Sequence, residues 1–212
     1  MIPIKLTLRN FMPYRDNVPP LDFTGIHTAS ICGDNGNGKS ALIDAITWAL
    51  WGRARGKSDD DLIHQGQTEM AVEFDFAVGQ QPYRIIRKHA LPKRRRASGQ
   101  SSLDLQITSD GSFKPISGDR ISETQRKIVD ILHMDYDTFI NSAYLRQGHA
   151  DQFTVADPAK RKQVLGNILG LSLYDDLEKS AKELAGKRAT DKTMAESAIR
   201  DIDEQLTGKP AY

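Results

Sequence analysis

Gly33-Asp34-Asn35-Gly36-Asn37-Gly38-Lys39-Ser40 is the stretch on which the reading of this chain turns. It fits the pattern GxxxxGKS in full. An apolar run, HTASIC (residues 27–32), precedes it, and a run with helical periodicity, ALIDAITWALW (residues 41–51), follows it. Strand, glycine loop and helix in that order are the setting of a phosphate-binding loop. Glycines let the backbone wrap a phosphate chain with its N–H groups turned inward, which side chains would obstruct. The helix behind the loop adds its positive end. In such a loop Lys39 brings charge to the β- and γ-phosphates, and the Ser40 hydroxyl ligates Mg2+. The expected nucleotide contacts are therefore Asn35, Gly36, Asn37, Gly38, Lys39, Ser40 and Ala41.

A phosphate loop by itself does not separate an ATPase from a GTPase or a kinase. An NKxD guanine reader and a DxxG switch do not occur as a pair; Asn167 is followed by Ile168. No apolar strand closing on an Asp-Glu pair follows the loop, since Glu73 and Asp75 alternate with apolar residues. The sequence thus shows a phosphate grip without a carboxylate to polarise the attacking water. Hydrolysis is expected to need residues from elsewhere.

Downstream, the helix is predicted from Ser40 to Trp51, with Leu42, Ile46 and Ala49 on one face and Ile43 and Leu50 beside them. Gly52 ends it, and GRARGKSDD reads as a flexible, mostly basic connection. Upstream, IKLTLRNF (4–11) alternates weakly, as an edge or early strand does, before the turn-rich MPYRDNVPPL. HTASIC is expected to be a short buried strand, with Cys32 a small buried hydrophobe rather than a reactive thiol. Three alternating segments follow: EMAVEFDFAV, PYRIIRKHAL and SLDLQITS. Their period of two, with Met70, Val72, Phe74 and Phe76 on one side and Leu103, Leu105 and Ile107 likewise, predicts an antiparallel sheet with one wet face, laid beside the nucleotide-binding core. GDRISETQRKIVDIL reads as a helix capped by Ser117 or Ser122. Asp157-Pro158 opens a further helix with proline at its first position. From Leu173 to Leu206 a proline-free, charged stretch places Leu177, Ala181, Leu184, Arg188, Asp191, Ala195, Ala198 and Ile202 at alternating spacings of four and three. That pattern fits the start of a coiled coil or a solvated surface helix.

The chain has 212 residues, 39% of them hydrophobic, enough for one substantial core. Its 29 Lys plus Arg against 28 Asp plus Glu leave a net charge of +1, so any footprint for nucleic acid has to be local. Lys88, Lys93, Arg94, Arg95 and Arg96, with His89 among them, form such a cluster between two predicted strands, suited to a phosphate backbone and insensitive to base sequence. A solvated loop is the plainer reading. Arg53, Arg55 and Lys57 join that surface, reach the nucleotide or are simply solvated. Asp59-Asp60-Asp61 reads as a solvated or capping run rather than a metal site. One cysteine gives no disulfide framework and no zinc set. The absence of a signal-like start or a long apolar run predicts a soluble intracellular protein without a membrane partner, in cytoplasm or nucleoid in a prokaryote and in the nucleus in a eukaryote.

Three features together resemble the SbcC-type family of DNA double-strand-break repair ATPases, relatives of the SMC proteins. They are LRNFMPYRD (8–16), the phosphate loop running into SALIDAITWALWG, and YLRQG (144–148). The resemblance implies an α/β fold, an ABC-ATPase-like N-terminal lobe with a core sheet around the phosphate loop and an antiparallel β-subdomain. It places that lobe at residues 1–155, and a helical segment starting a coiled-coil arm at 156–212. It implies Arg15 near the nucleotide, and Gln147 as the Q-loop glutamine that reaches Mg2+ and the γ-phosphate. It further implies ATP and Mg2+ as cofactors. The implied partners are a C-terminal half carrying the water-activating glutamate, a second ATPase head, a manganese-dependent nuclease and double-stranded DNA. On this resemblance the chain is a cut fragment or one half of a split pair, inactive alone. An SMC-type chromosome-organising clamp and a small-molecule kinase are the alternatives.

Overall fold

The computed structural model describes residues 1–92, 99–109, 111–144, 157–169 and 171–207. The chain divides into two compact units, Met1–Ala150 and Asp151–Tyr212. The first is built on a six-stranded antiparallel sheet in the order β2-β1-β3-β4-β5-β6. Its strands are β1 (Ile2–Arg9), β2 (Leu21–Asp22), β3 (Glu69–Val78), β4 (Gln81–Ala90), β5 (Gln100–Ser109) and β6 (Ser112–Pro115). The three alternating segments become β3, β4 and β5, and their register explains why. Leu6 pairs with Phe74, Phe74 with Ile85, and Ile85 with Leu105, so one row of apolar side chains crosses four strands on one face. None of the four is more than 1% exposed. The opposite face is polar. There Arg84 donates from Nε (2.6 Å) and a terminal nitrogen (2.7 Å) to the two Asp75 oxygens, and its guanidinium lies 3.9 Å from the Phe113 ring centre.

Helix α1 (Lys39–Trp51) covers the apolar face. The buried row is Ala41, Ala45, Trp48 and Ala49, whereas Leu42, Ile43 and Ile46 are only half-buried. The predicted stripe is thus rotated. A helix apolar on nearly every side has no unique face by periodicity, and the small alanines let its backbone sit closest to the sheet. Helix α2 (Ile121–Leu132) packs beside it through Ile128, and α3 (Tyr136–Ser142) follows, capped by Asp135 Oδ1 accepting from the Thr138 N–H at 2.7 Å. Neither Ser117 nor Ser122 caps α2. Ser117 Oγ instead accepts from the Leu105 N–H (2.9 Å), and Thr124 Oγ1 and Glu123 Oε2 accept from the Gly118 and Asp119 amides.

Two further expectations fail. HTASIC is not a strand, and Ile31 is 47% exposed and Cys32 exposed. Its composition suits a buried strand, but no described strand pairs with it, and without a ladder partner its backbone groups stay solvated. Nor do the described residues form a separate core sheet beside a β-subdomain; β1 lies inside the single sheet, shielded on its outer side only by the two residues of β2.

The second unit contains α4 (Pro158–Ile168), which begins at the predicted proline, and α5 (Ser172–Thr207). With 36 residues, α5 is about 54 Å long. Leu177, Leu184 and Ile202 of the predicted stripe are each more than half exposed. It is a long helix whose stripe is only partly apolar and is uncovered at these three positions, consistent with a coiled-coil arm. No described helix is long and apolar enough to cross a membrane.

Candidate nucleotide-binding site

The glycine loop runs into the N-terminus of α1 and leaves it open. Gly36 (φ 90°) and Gly38 (φ 85°) take left-handed conformations that only glycine adopts without strain, and no side chain caps the helix at Gly38. Lys39 Nζ bridges back over the loop, donating to the carbonyls of Gly33 (2.7 Å) and Asp34 (2.8 Å). An open pocket of about 460 Å3 lies here, lined by Met12, Pro13, Asn35, Gly36, Gly38, Lys39, Ser40, Ala41 and Arg55. Six of the residues expected to contact nucleotide are thus brought together; Asn37 is exposed on the loop outside that lining.

A second wall comes from the turn after β1. Met12 N–H donates to the Leu62 carbonyl (2.7 Å), and His64 Nδ1 donates to the Met12 carbonyl (2.7 Å). That leaves His64 Nε2 to accept from Arg15 Nε at 3.3 Å. Arg15 is therefore directed to His64 and is absent from the pocket lining. Pro13 and Tyr14 instead press on the loop. A Cβ at position 38 would stand 2.6 Å from Pro13 Cγ and 3.2 Å from the Tyr14 ring, and the Tyr14 hydroxyl donates to the Gly38 carbonyl at 3.1 Å. Burial raises the Tyr14 phenol above its ordinary value, so the donor is present throughout the physiological range.

Arg55 lines the same pocket. Its Nε lies 2.6 Å from Asp44 Oδ2, a buried α1 carboxylate, which holds the guanidinium at the pocket rim. Tyr14 and Asp44 lie within the stretches LRNFMPYRD and SALIDAITWALWG, but nothing in the sequence singled out these two side chains. Of the cationic residues suggested for DNA, Lys88, Arg53 and Lys57 are exposed. Lys93, Arg94, Arg95 and Arg96 lie outside the described residues, as does Gln147. His89 points inward instead, between Asp60 Oδ1 (2.6 Å) and Ser101 Oγ (2.8 Å), because alternation along β4 puts it on the buried face with Arg87. The three aspartates each have a structural partner. Asp59 accepts from Trp48 Nε1 (2.9 Å), Asp60 meets His89, and Asp61 caps the Ser58 amide (3.0 Å). Among the described residues no group of His, Cys, Asp and Glu could hold a metal ion. A bound Mg2+ would therefore rest on Ser40, phosphate oxygens and residues beyond these.

The far end of α1 is closed. Gly52 N–H donates to the Trp48 carbonyl (2.8 Å), Arg87 Nε to Ala49 (3.1 Å) and Gln125 Nε2 to Leu50 (2.7 Å), while Arg87 also donates to Gln125 Oε1 (2.6 Å). Burial pulls the Arg87 guanidinium down to about 10, opposed by Asp59, so it remains charged at neutral pH.

A family profile described as an AAA domain matches residues 5–208. The chain is 31% identical over 186 residues to a component of the nuclease SbcCD of Deinococcus radiodurans, covering 86% of this chain and 20% of that protein. It is 35% identical over 171 residues to a DNA double-strand break repair Rad50 ATPase of Thermoplasma volcanium, covering 81% and 18%. It thus spans about a fifth of the length of these relatives. In fold it is similar to an Smc head domain with a coiled coil and joint from Pyrococcus yayanosii (TM-score 0.71, 23% identity, 97% of this chain and 39% of that one). A glycine loop opening α1, a profile match along nearly the whole chain and relatives of one kind give a single conclusion: this chain belongs to the AAA-type ATPase domains and is related to the Rad50 and SbcC proteins.

Proposed function

We propose that the chain binds ATP with Mg2+ and forms the N-terminal half of an ATP-dependent DNA clamp. The clamp would act on DNA ends and regulate a partner manganese-dependent nuclease in double-strand-break repair. The observation that carries this reading is the convergence of an uncapped helix N-terminus, left-handed Gly36 and Gly38, and the Lys39 ammonium on one pocket. ATP supplies the phosphoanhydride to be cleaved, and Mg2+ offsets the charge of its β- and γ-phosphates. The loop amides bind the phosphate chain, and Lys39 exchanges the carbonyls of Gly33 and Asp34 for phosphate oxygens. Ser40 offers its hydroxyl to the metal, and Gln147 is proposed to complete that shell. Arg55, held on Asp44, places a further cation at the rim. Lys88, the 93–96 cluster, Arg53 and Lys57 are the proposed contacts to the DNA backbone.

Among the described residues no carboxylate is placed at the pocket to activate water. Hydrolysis is accordingly assigned to a complete site, formed with the C-terminal half of the same ATPase and a second head. The test is to measure ATP turnover by the 212-residue chain alone and after mixing it with that half. Negligible turnover alone and recovery on mixing are expected; robust turnover by the pure chain, abolished in Lys39→Ala, would overturn the two-half reading.

A further inference from the structure

We propose that Tyr14 is a positioning residue of the phosphate loop: its hydroxyl holds the Gly38 carbonyl so that the Lys39 N–H faces the pocket. This rests on the nucleotide reading above and adds a residue to it. The peptide unit joining Gly38 to Lys39 is the part that matters. No cis peptide bond occurs among the described residues, and in a trans peptide the carbonyl oxygen and the following N–H point in opposite directions. Whatever holds the oxygen therefore aims the amide.

Two donors hold it. The Ala41 N–H reaches the Gly38 oxygen at 2.8 Å and the Tyr14 hydroxyl at 3.1 Å. The first is a single bond spanning three residues at a helix terminus, where such bonds are weakest. Gly38 lacks a Cβ and sits at φ 85°, so its backbone has more freedom than that of any other residue type. The second bond restrains the rotation that the first leaves open. Tyr14 is itself well fixed. Its N–H donates to the Phe11 carbonyl (2.9 Å), and Phe11 is fully buried with its ring centre 5.7 Å from that of Trp48. The Met12 bonds to Leu62 and His64 lock the same turn to the 3-10 turn Asp59–Leu62 and the residues after it. The phenol is thus a rigid strut, and its ring occupies the space that any side chain at position 38 would need.

The strut is separable from the wedge, because Tyr14→Phe keeps the ring and removes only the donor. In the 212-residue chain, titrations of Mg-ATP and of magnesium tripolyphosphate should both weaken by the same factor, roughly three- to tenfold, as loss of one aligned hydrogen bond predicts. The response of the Lys39 amide resonance to Mg-ATP should shrink, with the thermal midpoint lowered by no more than the loss of one hydrogen bond implies. Unaltered affinity for both ligands would overturn the assignment. So would weakening for ATP without tripolyphosphate, which would put Tyr14 against the base or sugar. If the wild-type chain binds neither ligand, the nucleotide reading falls and takes this one with it. If the wild type binds, Lys39→Ala abolishes binding and Tyr14→Phe is neutral, only the strut is lost.

Discussion

Helix α1 ends in two opposite ways. At Gly38 its N-terminus has no side-chain cap, faces a pocket and is bordered by exposed loop residues. Before Gly52 its last residues, Trp48–Trp51, are buried, and three successive carbonyls, of Trp48, Ala49 and Leu50, receive donors from a glycine amide, an arginine and a glutamine. Elementary helix chemistry leaves both ends short of partners. The fold satisfies one end with its own side chains and leaves the other to accept an anion. A buried guanidinium at the negative end of the helix also suits the dipole, as the open end suits phosphate. Anchoring and binding are thus divided between the two halves of a thirteen-residue element.

The division predicts that changes at the closed end cost stability, and changes at the open end cost nucleotide. The largest effect is expected from Arg87→Ala. It strips the Ala49 carbonyl and Gln125 of their donor and empties buried space, for about 3 kcal/mol in urea unfolding. Arg87→Lys should recover only part, lacking the fork that serves both acceptors. A loss well under 1 kcal/mol would show that the closed end is no anchor. Gly38→Ala comes next and sharpens the contrast. A methyl 2.6 Å from Pro13 Cγ at φ 85° should cost about 1–2 kcal/mol of stability, and Mg-ATP affinity should fall by a larger factor than that cost implies. Gln125→Ala is the mildest, at about 1 kcal/mol, with ATP affinity of the folded chain unchanged. If it weakens ATP binding without destabilising the protein, the two ends are coupled and the division fails.

How much of this was legible depends on how far apart the partners lie in sequence. The phosphate loop and the β3–β5 alternation are local patterns, and both were readable directly. Arg87 looks like one more cation beside Lys88; only its register on β4, which faces it to a helix 38 residues away, makes it a buried cap. His89 sits among cations in the sequence, yet the same register buries it against Asp60, 29 residues upstream. HTASIC shows the converse failure. Its residues suit a buried strand, but a strand's burial is decided by neighbours that composition does not reveal. Tyr14 lies in the turn LRNFMPYRD, whose resemblance assigns no role to the tyrosine, and its meaning appears only when Gly38 is brought against it.

The two tryptophans of the chain, Trp48 and Trp51, both belong to α1. Trp48 is wholly enclosed with its Nε1 on Asp59, and Trp51 is nearly so with its Nε1 on the Met134 carbonyl. The chain's intrinsic tryptophan emission therefore comes from the anchored half of a single helix. It is a built-in optical gauge of whether that half stays still when a ligand is added at the other end.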